Sequence, residues 1–563
     1  MPSIPPWRIR PRPLKPYMKD QPMDQRTLLA ITLSFILLVV YQTISDLYLA
    51  PPQVIEQQAL DPNTDKKSSE ATQTSLPVKP DVTASPAKSL PVSDAQEIQF
   101  SYSNGIIQGH ISSLGARLTD LQFLKHLDTL PPDGKPIRYL QDKGPHIFFE
   151  ESGFLGEVGV DLPSRASQWQ RSGTGDIGPG SPLVLYWENN KGLRFEKTFS
   201  FETNSYLITT VDRVINQSGK PVTLFHFAHF LRIENLAEGQ LAMAVADFQG
   251  PMGYLDNVRV QHPYEELKKA DQRVNAQEGW TGFSDKYFLA ALVPEQMTSA
   301  KKFYYDFDDP THRVGVVVPK QELQPGAQLE KKTRLYIGPK ELRTLESMDL
   351  KLERSIDYGW FHFLAAPLVK VLLFFNDFFH NYGIAIILLT LIIKLLFFPL
   401  ATKSYRSMNA MKKLAPKMEE LKKLYAHDKT LMQQETMKMY QENKVNPLGG
   451  CLPILVQIPV FFALYKVLFL SVEMRHAPLF LWIHDLSVMD PYYVLPLLMG
   501  ASMFVQSKLN PAPADPVQAK IMMFLPVIFT FMFLSFPAGL VLYWLVNNIL
   551  SIAQQGYIMK QEE

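Results

Sequence analysis

Gly383-Ile384-Ala385-Ile386-Ile387-Leu388-Leu389-Thr390-Leu391-Ile392-Ile393-Lys394-Leu395-Leu396-Phe397-Phe398-Pro399-Leu400 is the stretch on which the fold turns. As a helix it is long enough to cross most of a hydrocarbon core about 30 Å thick. Lys394 stands inside it. A charged side chain at mid-bilayer costs about 2.5–3.5 kcal/mol on insertion scales. The bland explanation is snorkelling to the headgroups. Lys403, the next positive residue, is about 13 Å further along the helix, so the reach is long. A functional charge is the stronger expectation.

Other apolar runs surround this one: Leu28–Ile44, Trp360–Phe379, Cys451–Leu470, Tyr492–Val505, Ile521–Phe536 and Ala538–Ile552. His362, Pro367, Lys370, Asn376 and Asp377 interrupt Trp360–Phe379, which therefore reads as an amphipathic helix lying in the interface. The rest give six spans, with Phe536-Pro537-Ala538-Gly539 separating the last two. Leu28–Ile44 could instead be a signal peptide, but no small-x-small cleavage site follows it. Arg8, Arg10, Arg12, Lys15, Lys19 and Arg26 precede it and hold the N-terminus in the cytoplasm. Met23 is an alternative start. Ten Lys and Arg residues between Lys403 and Lys444 make 401–447 cytoplasmic as well.

The expected order is a cytoplasmic tail (1–27), a first span (28–45) and a disordered linker (46–96) rich in Pro, Ser, Thr and Gln. A periplasmic domain (97–345) and the interfacial helix (346–380) follow. Then come the second span (381–401), a cytoplasmic helical hairpin (402–447), the third span (448–470) and a periplasmic loop (471–490). The fourth span (491–507), a cytoplasmic loop (508–519), the fifth and sixth spans (520–536 and 537–555) and a cytoplasmic tail (556–563) complete it.

The chain has 563 residues and a net charge of +1, so charge alone predicts no nucleic-acid partner. Its one cysteine, Cys451, excludes an internal disulfide scaffold and a CxxC site. Residues 97–340 read as β. Ile98, Phe100 and Tyr102 alternate before Asn104-Gly105, a hairpin signal. Leu183–Trp187 and Leu193–Phe199 flank a second turn, and Tyr206–Ile215, Val222–Ile233, Val314–Val318 and Lys332–Ile337 add strands. Many short strands with little helix suggest a sandwich. His226 and His229 are three apart and face opposite sides of a strand, which argues against a shared metal. Asp306, Asp308 and Asp309 beside Pro310 read as a solvated turn. The chain carries no GxSxG, HExxH or Walker loop, so neither an enzyme nor a cofactor is expected.

The other polar residues inside apolar runs form a pattern. Thr390 is one turn from Lys394 on the same face. Gln457 lies between Pro453 and Pro459. Ser502 and Gln506 are i,i+4. Tyr543, Asn547, Ser551 and Gln554 share one helix face. Any one would serve as interhelical glue. Together they imply a hydrated recess open to the cytoplasm, its positive charge unopposed by any intramembrane Asp or Glu. In the hairpin, Met408, Met411, Met418 and Met437 belong to methionine stripes that suit packing or variable apolar clients. Pro416 should kink its first helix, and Asp428 can cap its second. Its basic residues suit anionic lipid or ribosomal RNA.

Asn446-Pro447-Leu448-Gly449-Gly450-Cys451-Leu452-Pro453, Gln457-Ile458-Pro459-Val460-Phe461, Leu481-Trp482-Ile483-His484-Asp485-Leu486, Asp490-Pro491-Tyr492-Tyr493 and Phe536-Pro537-Ala538-Gly539-Leu540 resemble the YidC/Oxa/Alb family of membrane insertases. The resemblance is most specific over 357–556. Met23–Leu29 and Gly279–Pro294 resemble its Gram-negative form. It implies a bacterial inner-membrane location, a periplasmic β-super-sandwich and five core helices around a groove closed to the periplasm. The groove charge falls on Lys394 where the family usually has Arg, which keeps the charge and loses bidentate hydrogen bonding. Client contacts fall on Thr390, Ile458, Phe461, Met532, Tyr543 and Trp544. Implied partners are nascent membrane proteins, the Sec translocon, and the ribosome and signal-recognition machinery at the hairpin. Two other classes compete: a secondary transporter using Lys394 as its site, which would want an internal repeat of spans, and a sugar-binding or epimerase-like periplasmic domain.

Overall fold

The computed structural model describes residues 96–233, 248–297, 299–425, 427–443, 445, 452–510 and 516–561. The apolar run Leu28–Ile44, the alternative start at Met23, nearly all of the linker and the motif residues 446–451 lie outside them.

Two antiparallel sheets, one of ten strands and one of nine among the described residues, form the β domain. The expected hairpins are present. Strand Gln99–Ser103 pairs with Ile107–Ser112, and Asn104 Oδ1 closes their turn by accepting from Ile106 and Ile107 N–H (3.2 and 3.0 Å). Strand Leu183–Glu188 pairs with Leu193–Phe201. Asn189 shapes that turn, and Gly192 (φ +85°) supplies the left-handed residue it needs. Burial alternates strictly along Leu193–Phe201, as a strand with one face in a core demands. Strand Val222–Ile233 runs between Ile147–Gly156 and Thr311–Val317. Phe123, Phe195, Phe199, Phe230, Trp280, Phe283, Tyr305 and Tyr336 fill the core, each almost wholly removed from water. At about 1.5–3 kcal/mol per large apolar side chain, this layer drives the domain's folding.

The helical region begins with α1 (His362–Phe379). Ala365, Val369, Leu372 and Leu373 are its buried stripe, while Phe363, Phe374 and Phe378 are exposed. Ion pairs tie the segment to the β domain before, along and at the end of the helix: Arg259–Asp357 (2.7 Å), Lys370–Glu346 (3.7 Å) and Arg343–Asp377 (2.6 Å). Asn381 caps α2 (Tyr382–Lys413) by accepting from Ile384 N–H. This helix runs past 401, so the expected second span and the start of the hairpin are one rod. Pro416 falls in the first turn of α3 (Ala415–Leu424). It starts a helix rather than kinking one, because proline's missing N–H is spare in a first turn. Asp428 caps α4 (Lys429–Glu442) through Thr430 and Leu431 N–H (3.1 and 3.0 Å). The remaining helices are α5 (Leu452–Leu470), α6 (Val494–Leu509), α7 (Pro516–Phe533) and α8 (Ala538–Gln561).

The loop between α5 and α6 gathers helix ends. Leu479 O accepts from the Asn381 amide (2.7 Å), and Val488 O and Leu486 O accept from Ala538 and Gly539 N–H (2.7 and 3.0 Å). Asp490 accepts from Leu495 N–H (2.7 Å) at the start of α6. The β domain sits on the same loop. The Arg475 guanidinium donates to Leu127 O and to Asp128 O, the latter at 2.8 Å, and Lys286 lies 3.7 Å from the centre of the Phe469 ring.

Candidate functional site

α8 is the polar spine of the helical region. Its Tyr543 hydroxyl accepts from the Gln457 amide of α5. Its Asn548 amide donates to Ser502 Oγ of α6 (3.0 Å). Its Ser551 Oγ accepts from Lys394 Nζ of α2 (2.7 Å) and donates to Asn547 O (2.7 Å). Gln554 donates to Phe398 O (3.1 Å) and Thr402 Oγ1 (3.3 Å) of α2, and Gln555 to Asn510 Oδ1 (3.3 Å) beyond α6. One helix thus hydrogen-bonds to three others. In hydrocarbon each unmade polar bond is costly, so these pairs fix how the helices register.

Lys394 lies twelve residues into α2 and Ser551 thirteen into α8, at about 18 and 20 Å of helical rise. Their depths match, since both helices begin at the loop that carries the β domain. No carboxylate pairs with Lys394 among the described residues. Nearby, Asn547 is 8% exposed and its Oδ1 has no hydrogen-bond partner. A half-buried ammonium with one neutral acceptor, on a helix face that also carries an unsatisfied amide oxygen one turn away, is a polar seam short of partners.

Toward the β domain the seam becomes aromatic. Trp544 meets Phe461 edge-on (4.8 Å between centroids) and packs on Phe529 and Phe533 at 6.2 and 5.4 Å. This aromatic plug lies between the polar residues of α8 and the loop at its start.

The structure brings Lys394, Asn547 and Ser551 into one group, and joins Gln457 to Tyr543. Thr390 is 1% exposed, and its hydroxyl turns back to Ile386 O (2.7 Å) on its own helix. Ser502 is buried and serves Asn548. Ile458 and Met532 are exposed, and Gln506, Phe461 and Trp544 are half-buried. Of the methionines, Met408 packs inward with Ala401, Tyr405 and Ile558, with Met411 beside it. Met418 Sδ faces the Thr436 hydroxyl across the hairpin (3.6 Å), and Met437 is exposed. Asn548 and Gln555 are additions. They lie seven apart on α8, two turns on one stripe beside the expected face, and that spacing was available in the sequence.

The β domain holds a second polar cluster. Lys197, Asp212, Ser152, His226 and Glu150 meet between the sheets. His226 faces inward to Asp212, and His229 faces out to Tyr304 (2.8 Å). No cluster of three or more His, Cys, Asp or Glu fit to hold a metal occurs among the described residues. Asp306 pairs with Arg273 and Asp308 with Arg313 at a hairpin.

A helical membrane region carrying an antiparallel β-sandwich and crossed by a polar seam defines a class of membrane protein. Residues 374–563 match the family model of the 60Kd inner membrane protein, and residues 100–371 that of the YidC periplasmic domain. The membrane protein insertase YidC of Magnetococcus marinus is 53% identical over 96% of this chain and 99% of its own. That of Methylobacillus flagellatus is 39% identical over 81% and 83%. A solved structure of an active YidC insertase with its first transmembrane domain resolved has 18% identity and a TM-score of 0.36 over 82% of this chain and 92% of that one. The chain belongs to the YidC family of membrane protein insertases, inner-membrane proteins with a periplasmic domain.

Proposed function

We propose that this chain inserts nascent inner-membrane proteins and helps them fold by letting their polar segments travel along the α2–α8 seam from the cytoplasm. The observation that carries this is Lys394, held at mid-depth by one neutral hydroxyl with no carboxylate to neutralise it. An acidic client tail entering the seam would gain that charge, and its apolar segment would then leave sideways into lipid. No covalent chemistry and no cofactor is required. Met532 and Ile458, exposed beside the aromatic plug, suit client contact, and the buried Thr390 and Tyr543 suit a role in shaping the path.

The membrane arrangement proposed is six spans, with Leu28–Ile44 the first and the N-terminus cytoplasmic. α1 lies flat in the outer interface. Its exposed Phe363, Phe374 and Phe378 lie opposite the buried stripe, and ion pairs at Asp357 before it and Asp377 at its end tie it to the β domain, which supports this. The hairpin α3–α4 carries the basic surface for the ribosome, signal-recognition machinery and anionic lipid. The Sec translocon is the expected membrane partner. Lys394→Glu should block insertion of acidic-tailed clients in proteoliposomes. Normal insertion at normal protein level would overturn the mechanism. Photo-crosslinks from Ile458 and Met532 to a stalled nascent chain should form, and crosslinks only from the lipid-facing Leu497 would count against the path.

A further inference from the structure

The loop between α5 and α6 turns Asp485 and Asp490 inward beside Leu479, Ile483 and Leu486, and turns several other large apolar side chains outward. Asp490 is 1% exposed and accepts from the Trp482 ring N–H (2.9 Å) and from Tyr492 and Leu495 N–H. Asp485 is 8% exposed and accepts from the Ser487 N–H and hydroxyl. Phe480 (55% exposed), Leu481 (72%), Val488 (51%), Met489 (49%) and Tyr492 (68%) face outward. Between Pro478 and Tyr493, all of it described, His484 is the single Asp, Glu, Lys, Arg or His side chain that is exposed.

The backbone is built to present these residues. A bond from Leu479 N–H to Ile483 O (3.0 Å) closes a tight turn that thrusts out Phe480 and Leu481. Leu481 (φ +60°) and Tyr493 (φ +58°) occupy the left-handed region, which bulky side chains avoid. Strain of this kind persists only where the surroundings fix it. In water it would expose a contiguous apolar patch for no return. The patch continues directly into α6, where Leu497 and Leu498 are 59% and 50% exposed on a helix of a membrane protein.

We propose that the loop Pro478–Tyr493 is seated in the leaflet on the β-domain side. Acyl chains lie against Phe480 and Leu481, and Tyr492 and Tyr493 lie at headgroup level, where tyrosine concentrates. Lipid is the occupant rather than a partner helix. The outward apolar side chains are separate bulky tips without the small residues by which membrane helices approach closely. Because the same loop bonds to the starts of α2, α6 and α8, its depth sets the depth of the closed end of the seam.

The test uses the full chain in phosphatidylethanolamine–phosphatidylglycerol nanodiscs, with Cys451→Ser removing its one cysteine. Phe480→Cys, Leu481→Cys and Tyr492→Cys are labelled separately with bimane, so a misfolded variant leaves two others. Leu497→Cys serves as the lipid reference. Val158→Cys, 107% exposed in the β domain, serves as the water reference. Labels at 480 and 481 should be blue-shifted, quenched by nitroxide lipid as strongly as the label at 497, and largely spared by aqueous iodide. Iodide quenching equal to that at 158 would overturn the proposal. So would silence toward both quenchers, which would mark a protein contact.

Discussion

Lys197 and Lys394 both carry a charge out of water, with opposite support. Lys197 has a side chain 0% exposed between the sheets. Its ammonium donates to Ser152 O and Oγ (2.6 and 3.0 Å) and stands 3.4 Å from Asp212 Oδ1. Asp212 is also 2.9 Å from His226 Nε2. Lys394 has Ser551 Oγ at 2.7 Å and no carboxylate among the described residues. A buried charge with a counter-charge is part of the architecture, and losing one partner strands the other. A charge given only a neutral acceptor keeps its attraction for an anion that comes and goes. The contrast separates the lysine that holds the fold from the lysine available to a client.

The largest effect should come from Lys197→Met, which leaves Asp212 without its ammonium. We expect a loss of about 3–5 kcal/mol, read by thermal unfolding of the purified chain in detergent. Lys394→Met should change the same transition by under about 1 kcal/mol while insertion falls. Equal losses of stability at both positions would erase the distinction.

Glu150 sharpens it next. Its carboxylate is buried beside Lys197, Asp212 and Ser152, and burial pushes its pKa from the ordinary 4.5 up to about 7. The folded carboxyl therefore holds its proton more tightly than the unfolded one. Its stabilising contribution is complete below pH 4.5 and is lost as pH rises through about 7, a fall of about 3 kcal/mol. Glu150→Gln should flatten the slope between pH 5 and 8 in melting experiments. An unchanged slope would show that this carboxyl is not the group that titrates.

Gly500 tests whether the helical region is held by packing. A Cβ there would stand 2.0 Å from Thr530 Oγ1, because α6 and α7 approach closely at that point. Gly500→Val should cost about 1–3 kcal/mol in SDS unfolding. The smallest effect is expected for Ser551→Ala, about 0.6 kcal/mol on stability. It should still alter insertion of acidic-tailed clients, and Ser551→Thr should restore it. A Ser551→Ala loss larger than that of Gly500→Val would mean that the seam holds the helices together more than their packing does.

Much of this architecture is legible along the chain. The turns at Asn104-Gly105 and around Asn189 announce themselves through residues that accept their neighbours' N–H groups. The α8 stripe Tyr543, Asn547 and Ser551 is visible because one helical face repeats every three to four residues. The place misread and the place left open share a cause. Pro416 has the same chemistry within a helix as at its start, so only the break at Leu414 tells which holds. Met408 suits packing or a client equally well along the chain, and only the end of α8 brings Ile558 to pack on it.

By itself the sequence determined the membrane class, the β hairpins, the cap at Asp428 and the unusual lysine, all written in local periodicity and turn chemistry. Tertiary structure alone decided which groups meet. Lys394 finds Ser551 157 positions away. Thr390 turns back on its own helix. Lys197 of one sheet closes on Asp212, and on Ser152 of the other. The loop after α5 buries Leu479 and Leu486 and points Leu481 outward. The physical reason is that such pairings are set by how rods and sheets pack in three dimensions, where each polar group takes whichever partner the packing brings within reach.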